Sequence, residues 1–183
     1  FVSRVERWAS PKYLIGESYG TTRVSGLANV LQNRHWMYIN GVILVSPTGL
    51  GIDRSGPVNQ ANRLPYYTAA AWYHEQLPEE LQSMDLLEAL EASEQFTQNE
   101  LIPILAKGAW MSEEEKEHAI AQYAWYSGLS EEVIRQHNLD VPTSFFWKDL
   151  LRHEGHTVGR LDSRYKGLDR SDAGTRPDFN SEL

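Results

Sequence analysis

Gly16, Glu17, Ser18, Tyr19 and Gly20 set one serine between two glycines in the pattern G-x-S-x-G. A serine hydroxyl is a weak nucleophile. To attack a carbonyl it needs a backbone that presents its Oγ, a base to take its proton, and donors that hold the developing negative charge. The pattern supplies the first of these, because on a sharp strand-to-helix turn the serine Oγ is lifted above the sheet. A side chain at position 16 or 20 is expected to collide with neighbouring backbone in so tight a turn, and glycine avoids that collision. The next helix aims free N–H groups and its positive dipole end at the same spot, so an oxyanion beside Ser18 would rest partly on the Tyr19 N–H. Ser18 is therefore the candidate nucleophile, Tyr19 the candidate oxyanion donor, and Gly16 and Gly20 the residues that permit the turn.

The flanking sequence has the form such a turn requires. Tyr13, Leu14 and Ile15 make an apolar strand run ahead of the serine. Val24, Leu27, Ala28 and Leu31 come after it at i, i+3, i+4 and i+7, which predicts one buried helix face, and the small Ser25, Gly26 and Ala28 would let that helix lie close to a sheet. Asn40-Gly41 then leads into Val42 to Val45, a continuous apolar run of the kind a parallel strand covered on both faces requires. Strand, turn, helix and strand compose one βαβ unit. The competing reading is an ordinary βαβ turn whose serine only caps the helix.

GESYG followed by TTR, then INGVILVSP, and later EGHTVGRLDSRY, resembles the bacterial branch of the serine carboxypeptidases, a group within the α/β-hydrolases. The resemblance runs through nearly the whole chain. It implies a partial α/β-hydrolase core with an inserted, mostly helical cap, and release of C-terminal residues from peptides through a Ser18 acyl-enzyme. It also implies that Glu17 binds the free carboxylate of the peptide substrate, paired with a second carboxyl so that one proton is shared and acidic pH is favoured. The eukaryotic relatives carry alanine where this chain has Gly20. In the family the glycine-rich oxyanion loop lies upstream, and the triad aspartate and histidine lie downstream of the cap. The expectation is therefore of a piece of a larger hydrolase, with a second chain or segment supplying the missing strands. A secreted or periplasmic location comes from the resemblance alone. Another capped hydrolase, such as a proline-type or tripeptidyl aminopeptidase or an esterase, and a non-catalytic binding domain that keeps the turn, are the alternatives.

Composition bounds the remaining classes. The 183 residues are 41% hydrophobic and carry a net charge of −8, enough for a globular core and without the basic cluster that nucleic-acid binding demands. No apolar run approaches the roughly 20 residues of a membrane span. Cysteine is absent, so no disulfide, thiolate metal site or cysteine nucleophile arises, and no cofactor is implied. A chain that opens at Phe1 without an initiator methionine, inside a helical pattern, is expected to be a fragment or processed product.

In chain order, Phe1, Val5 and Trp8 are spaced for one face of a helix closed by Pro11. The partial core is expected over residues 1–62, with Thr48 to Asn62 as a glycine-rich loop. Residues 63–156 read as a helical cap. Leu64, Tyr67, Ala71 and His74 share a face; Leu86, Leu87 and Leu90 begin a second that Pro103 should kink or divide; Ser112 with Glu115 forms a capping box; Ser130 and Pro142 open two further helices. Residues 157–183 read as a return segment and polar tail. His153-Glu154-Gly155-His156 lacks the i, i+4 histidine spacing of a helical zinc site, so no metal is expected. His156 comes after Asp140 and Asp149 in triad order, but no strand-like run separates Val45 from it, so its default reading is a hinge at the cap exit rather than a general base. The tryptophans and tyrosines are expected in core and cap packing, although Trp72, Tyr73, Trp110, Trp125 and Tyr126 could line the cap's underside, and Arg23 either pairs with a carboxylate or anchors its helix.

Overall fold

Residues of β1 (Tyr13–Glu17) alternate between two environments, and the cause is what lies on each side. Leu14 and Gly16 turn towards α1 (Tyr19–His35), while Tyr13, Ile15 and Glu17 face outward and are exposed. The computed structural model describes residues 1–47 and 55–178 and divides into two compact units, Phe1–Asp53 and Arg54–Leu183. Its mixture of helices with a parallel strand pair agrees with the expected α/β class.

In the first unit β1 pairs in parallel with β2 (Gly41–Val45), Tyr13 opposite Gly41 and Glu17 opposite Val45. The pair is pinned where it opens: the Lys12 N–H donates to Asn40 Oδ1 and the Asn40 N–H to the Lys12 carbonyl, both at 2.8 Å. Helix α1 covers one face only. Its inward stripe is Thr21, Val24, Ala28 and Leu31, whereas Leu27 and Val30 are exposed, and Ser25 and Gly26 lie on the outer side, so of the expected small residues only Ala28 meets the sheet. The expectation of a strand buried on both faces is not met, since Val42, Ile43 and Val45 are all exposed. Phe1 to Ser10 is a series of turns rather than a helix. Glu6 takes a left-handed φ of 53° and interrupts the helical bonding, leaving Phe1, Val5 and Trp8 exposed.

The second unit begins with a short helix, α2 (Gly56–Ala61), where a loop was expected; Pro57 stands in its first turn, where its lost N–H has no intrahelical acceptor. The rest of the predicted loop, 48–54, lies outside the described residues. From Leu64 to Glu154 every regular element is helical: α3 (Leu64–Tyr73), α4 (Glu79–Gln82), α5 (Leu86–Phe96), α6 (Ile102–Ala106), α7 (Glu113–Ser127), α8 (Glu131–Gln136) and α9 (Thr143–Asp149), with single 3₁₀ turns. Between α5 and α6 the backbone widens into a π-helix, Thr97–Leu101. Pro103 accounts for it, because proline removes one ladder bond and would strike the preceding turn of a regular helix. Ala89, Ser93 and Phe96 form the buried face of α5, and Leu87 is exposed. The capping box of Ser112 and Glu115 is present, with Oγ accepting the Glu115 N–H at 3.2 Å and Oε2 accepting the Ser112 N–H at 3.0 Å. Tyr67 stacks on Phe146 at 4.0 Å in the core and donates to the Val141 carbonyl at 2.9 Å; burial pushes its phenol up to about 12.

Residues 156–168 carry strands of their own. They form an antiparallel hairpin, β3 (His156–Val158) with β4 (Lys166–Leu168), inside the second unit. A buried charge holds the chain beyond this hairpin. Lys148, 1% exposed on α9, donates to Asp169 Oδ2 at 2.6 Å and to the Ser171 carbonyl at 2.5 Å, while Arg152 donates to the Asp172 carbonyl. Burial opposes ionisation of Asp169, but the Lys148 ammonium and the hydrogen bond from the Asp178 N–H outweigh it and hold the carboxyl below its usual range.

Replacing one partner of this pair strands the other. Asp169→Asn should destabilise the second unit by roughly 3–5 kcal/mol in denaturant unfolding, and the joint change Lys148→Met with Asp169→Leu should recover most of that loss. Because the folded-state carboxyl titrates below its unfolded value of about 3.9, its contribution is complete above that pH and is lost as pH falls through the folded value. Amide exchange across residues 169–178 should accelerate there, and not in Asp169→Asn.

Candidate active site

Ser18 joins the last residue of β1 to the first of α1, and its backbone lies at φ 51°, ψ −123°. An L-residue pays for that conformation, of the order of 1–3 kcal/mol, and holds it only where its surroundings leave no alternative. Here they leave none. The Ser18 N–H donates to the Val45 carbonyl at 3.0 Å, which fastens the turn to the end of β2, and the Ser18 carbonyl accepts both the Thr21 N–H at 3.0 Å and the Thr21 hydroxyl at 2.6 Å. Thr21 is fully buried, and the Ser25 hydroxyl in turn donates to its carbonyl at 2.8 Å. Ser18 itself is exposed.

Gly16 is required by close approach. A Cβ built there would stand 2.3 Å from the Gly20 carbonyl oxygen and 2.5 Å from the Gly20 carbonyl carbon, both unyielding backbone atoms. Gly20 differs from the expectation: a Cβ there meets nothing within 4 Å. Its backbone is what Gly16 makes room for, and its own missing side chain points into open space. The alanine that the resembled family's eukaryotic members carry at that position would fit this geometry.

The first turn of α1 holds no acidic side chain, and the nearest carboxylate in sequence is that of Glu17, just ahead of the turn. Tyr19 opens that turn, where helix geometry offers the N–H no intrahelical acceptor. The Tyr19 ring is 62% exposed and the Arg23 guanidinium lies over it at 5.4 Å, so Arg23 packs on an aromatic face one turn along. Glu17 ends β1 on the outward face, opposite Val45, and is exposed. The described part of this unit contains one other acid, Glu6, in the amino-terminal turns.

Comparison of the chain with protein-family models, with curated proteins and with solved structures returns no match. The chemistry of the site therefore rests on its geometry.

The structure brings Gly16, Glu17, Ser18, Tyr19 and Gly20 into one turn. The histidine of the first unit, His35, ends α1, a helix of 17 residues, and is about 25 Å along its axis from the serine. His156 opens β3 in the second unit, where its Nδ1–H donates to the Glu154 carbonyl at 2.8 Å. Among the described residues no group of three or more His, Asp or Glu is placed to hold a metal ion, and no helix is long and apolar enough to cross a membrane. Of the aromatics that could line a cap's underside, Trp110 is 90% exposed, Tyr126 stacks on Phe96, and Trp72 donates to the Met84 carbonyl. Thr21 is the residue that sequence reasoning passed over. The available signal was its β-branched hydroxyl three places after the serine, within reach of the i−3 carbonyl.

The two glycines should respond differently to the same change. Gly16→Ala should cost at least about 1–3 kcal/mol and speed amide exchange through β1 and the first turn of α1. Gly20→Ala should leave exchange unchanged and gain up to about 1 kcal/mol from helix propensity.

Proposed function

We propose that Ser18 is the nucleophile of a serine-type hydrolase of the carboxypeptidase kind. The observation that carries this reading is the strained, doubly fastened backbone of an exposed serine at a strand-to-helix junction. A serine that only capped the helix would accept an N–H of the first turn through its side chain from an extended backbone; Ser18 has neither an extended φ nor such a side-chain cap bond. The exposed turn and the first-turn N–H geometry are the parts of an acyl-transfer site that the nucleophile itself must carry.

The chemistry runs as two displacements. Ser18 Oγ attacks the carbonyl carbon of a peptide's last bond while its proton passes to an imidazole, and the oxyanion is held at the Tyr19 N–H and a second donor. The tetrahedral intermediate expels the amine of the C-terminal residue, which takes the proton from the imidazolium. Water then attacks the acyl-enzyme in the same manner and frees Ser18. Glu17, at the rim of the turn, would hold the terminal carboxylate of the substrate. With His35 at the far end of α1, the base comes from outside the first unit. A second chain or segment that also continued the β1–β2 sheet would bring it, and the exposed Ile15, Ile43 and Val45 on the uncovered sheet face support that arrangement.

A fluorophosphonate probe tests the nucleophile. Labelling should map to Ser18 and vanish in Ser18→Ala, while turnover of N-blocked dipeptides by the 183-residue chain alone should stay at background. Labelling elsewhere would remove the reading, and robust turnover by the chain alone, abolished by His156→Ala, would assign the base to His156. In any active assembly, loss of hydrolysis on amidating the substrate's C-terminus supports the carboxypeptidase type. Dependence on a free N-terminal amine instead would assign an aminopeptidase.

A further inference from the structure

The second unit holds an open cavity of about 620 Å³ between the amino end of α7, the segment after α8, and α2. Its size lies within the range of pockets that take small ligands. Two charges of opposite sign stand one helical turn apart on its wall, Glu113 and Lys116 of α7. Among the described residues neither makes an ion pair, although side chains at i and i+3 are near enough to reach one another. Two other acids of the same helix are paired elsewhere, Glu115 with Lys107 and Glu117 with Arg135, and Glu114 is exposed outside the cavity lining.

Another part of the lining is shaped by strain. After α8 two consecutive non-glycine residues, Asn138 and Leu139, take positive φ values of 49° and 64°. Leu139 is drawn into the core, 1% exposed, and the reversal sets His137 and Asp140 on the cavity. Asp140 is spoken for, with the Arg63 guanidinium at 2.9 Å and Gln60 at 3.4 Å, so it fixes the loop. His137 donates from Nδ1 to the Val133 carbonyl at 2.9 Å, which in the neutral ring leaves Nε2 as an acceptor. Leu105 and Met111 supply apolar wall.

We infer that this cavity binds a dipeptide-sized zwitterion, a molecule with a free α-ammonium and a free α-carboxylate. The ammonium is received by Glu113, the carboxylate by Lys116, a backbone N–H by His137 Nε2, and the side chain by Leu105 and Met111. A ligand of one sign alone would pair with one of the two α7 charges and leave the other without a partner, so a zwitterion matches the wall better than a simple anion or a simple amine. The inference is independent of the Ser18 reading, since every residue in it belongs to the second unit.

Titration of the ¹⁵N-labelled 183-residue chain with L-alanyl-L-leucine, followed by amide shifts, tests it. Saturable shifts should centre on residues 113–116 and 137–140. N-acetylation, C-amidation, Glu113→Gln and Lys116→Met should each weaken the affinity at least tenfold, and Ser18→Ala should bind as the parent does. Lys116 is half-buried and Glu113 exposed, so both variants should keep the parent circular dichroism; if one does not, the other and the two blocked peptides decide. Absence of saturation at millimolar peptide would overturn the inference. So would equal binding of the blocked peptides, or loss of binding in Ser18→Ala.

Discussion

The first unit depends on one close approach, that of Gly16 in β1 to the backbone of Gly20 at the start of α1. Only a residue without a Cβ permits it, and everything that Ser18 does is a consequence. With strand and helix so near, the single residue linking them has no room for an ordinary extended cap and is driven to φ 51°. The Val45 carbonyl on one side and Thr21 on the other then make that conformation the best-bonded one available. The strain is local and the restraint is local. Hydrogen bonds, rather than bulk packing, hold the site, for of the described residues in this unit only Gly16, Thr21 and Ala28 are buried.

The second unit is built by the opposite means. Its core is continuous, from Leu64 and Tyr67 through Ile120 and Tyr123 to Phe146 and Leu151, and its polar interactions are placed where that core would otherwise come undone. Arg63 reaches across to Asp140 and the Val141 carbonyl, closing the strained loop against α3. Lys148, on a helix that is otherwise apolar inward, gives up hydration to bind Asp169 and so ties the chain beyond the hairpin to α9. A buried pair of that kind contributes little net stability over an apolar replacement, and its effect is to specify one position for the segment it holds.

How much of this the sequence disclosed depended on the range of the forces involved. The turn at Ser18, the helices of the second unit and the caps at Ser112 and Ser130 were legible because each is decided within a few residues, by glycine, by apolar period or by a hydroxyl at the right offset. The π-helix before Pro103 was half legible: proline announces a disturbance, not its form. The reading of Gly20 as sterically required went wrong because the motif does not say which of two facing glycines supplies the room and which supplies the backbone. Strand β2 looked doubly buried because a run of Val, Ile and Leu records what a strand can be packed in, while the structure records what packs on it. The pairing of 156–168 into a hairpin was not legible, since its strands are three residues long and carry too little pattern to mark a partner.

That difference between what a strand could be packed in and what packs on it bears on the site. Tyr13, Ile15, Ile43 and Val45 form an outward apolar face with Glu17 at one end, and neither strand carries the lysine, proline or bulge by which exposed strands commonly discourage association. Apolar exposure on this scale lowers the free energy needed to open the strands, and local opening would release the Val45 carbonyl from the Ser18 N–H before it disturbed anything in the helical unit. The strained serine and the bare sheet face are thus linked: the first can be held rigidly only to the extent that the second is stable. Covering Ile15, Ile43 and Val45 would raise the stability of β1 and β2, and with it the preorganisation of the turn, without any contact to Ser18 itself.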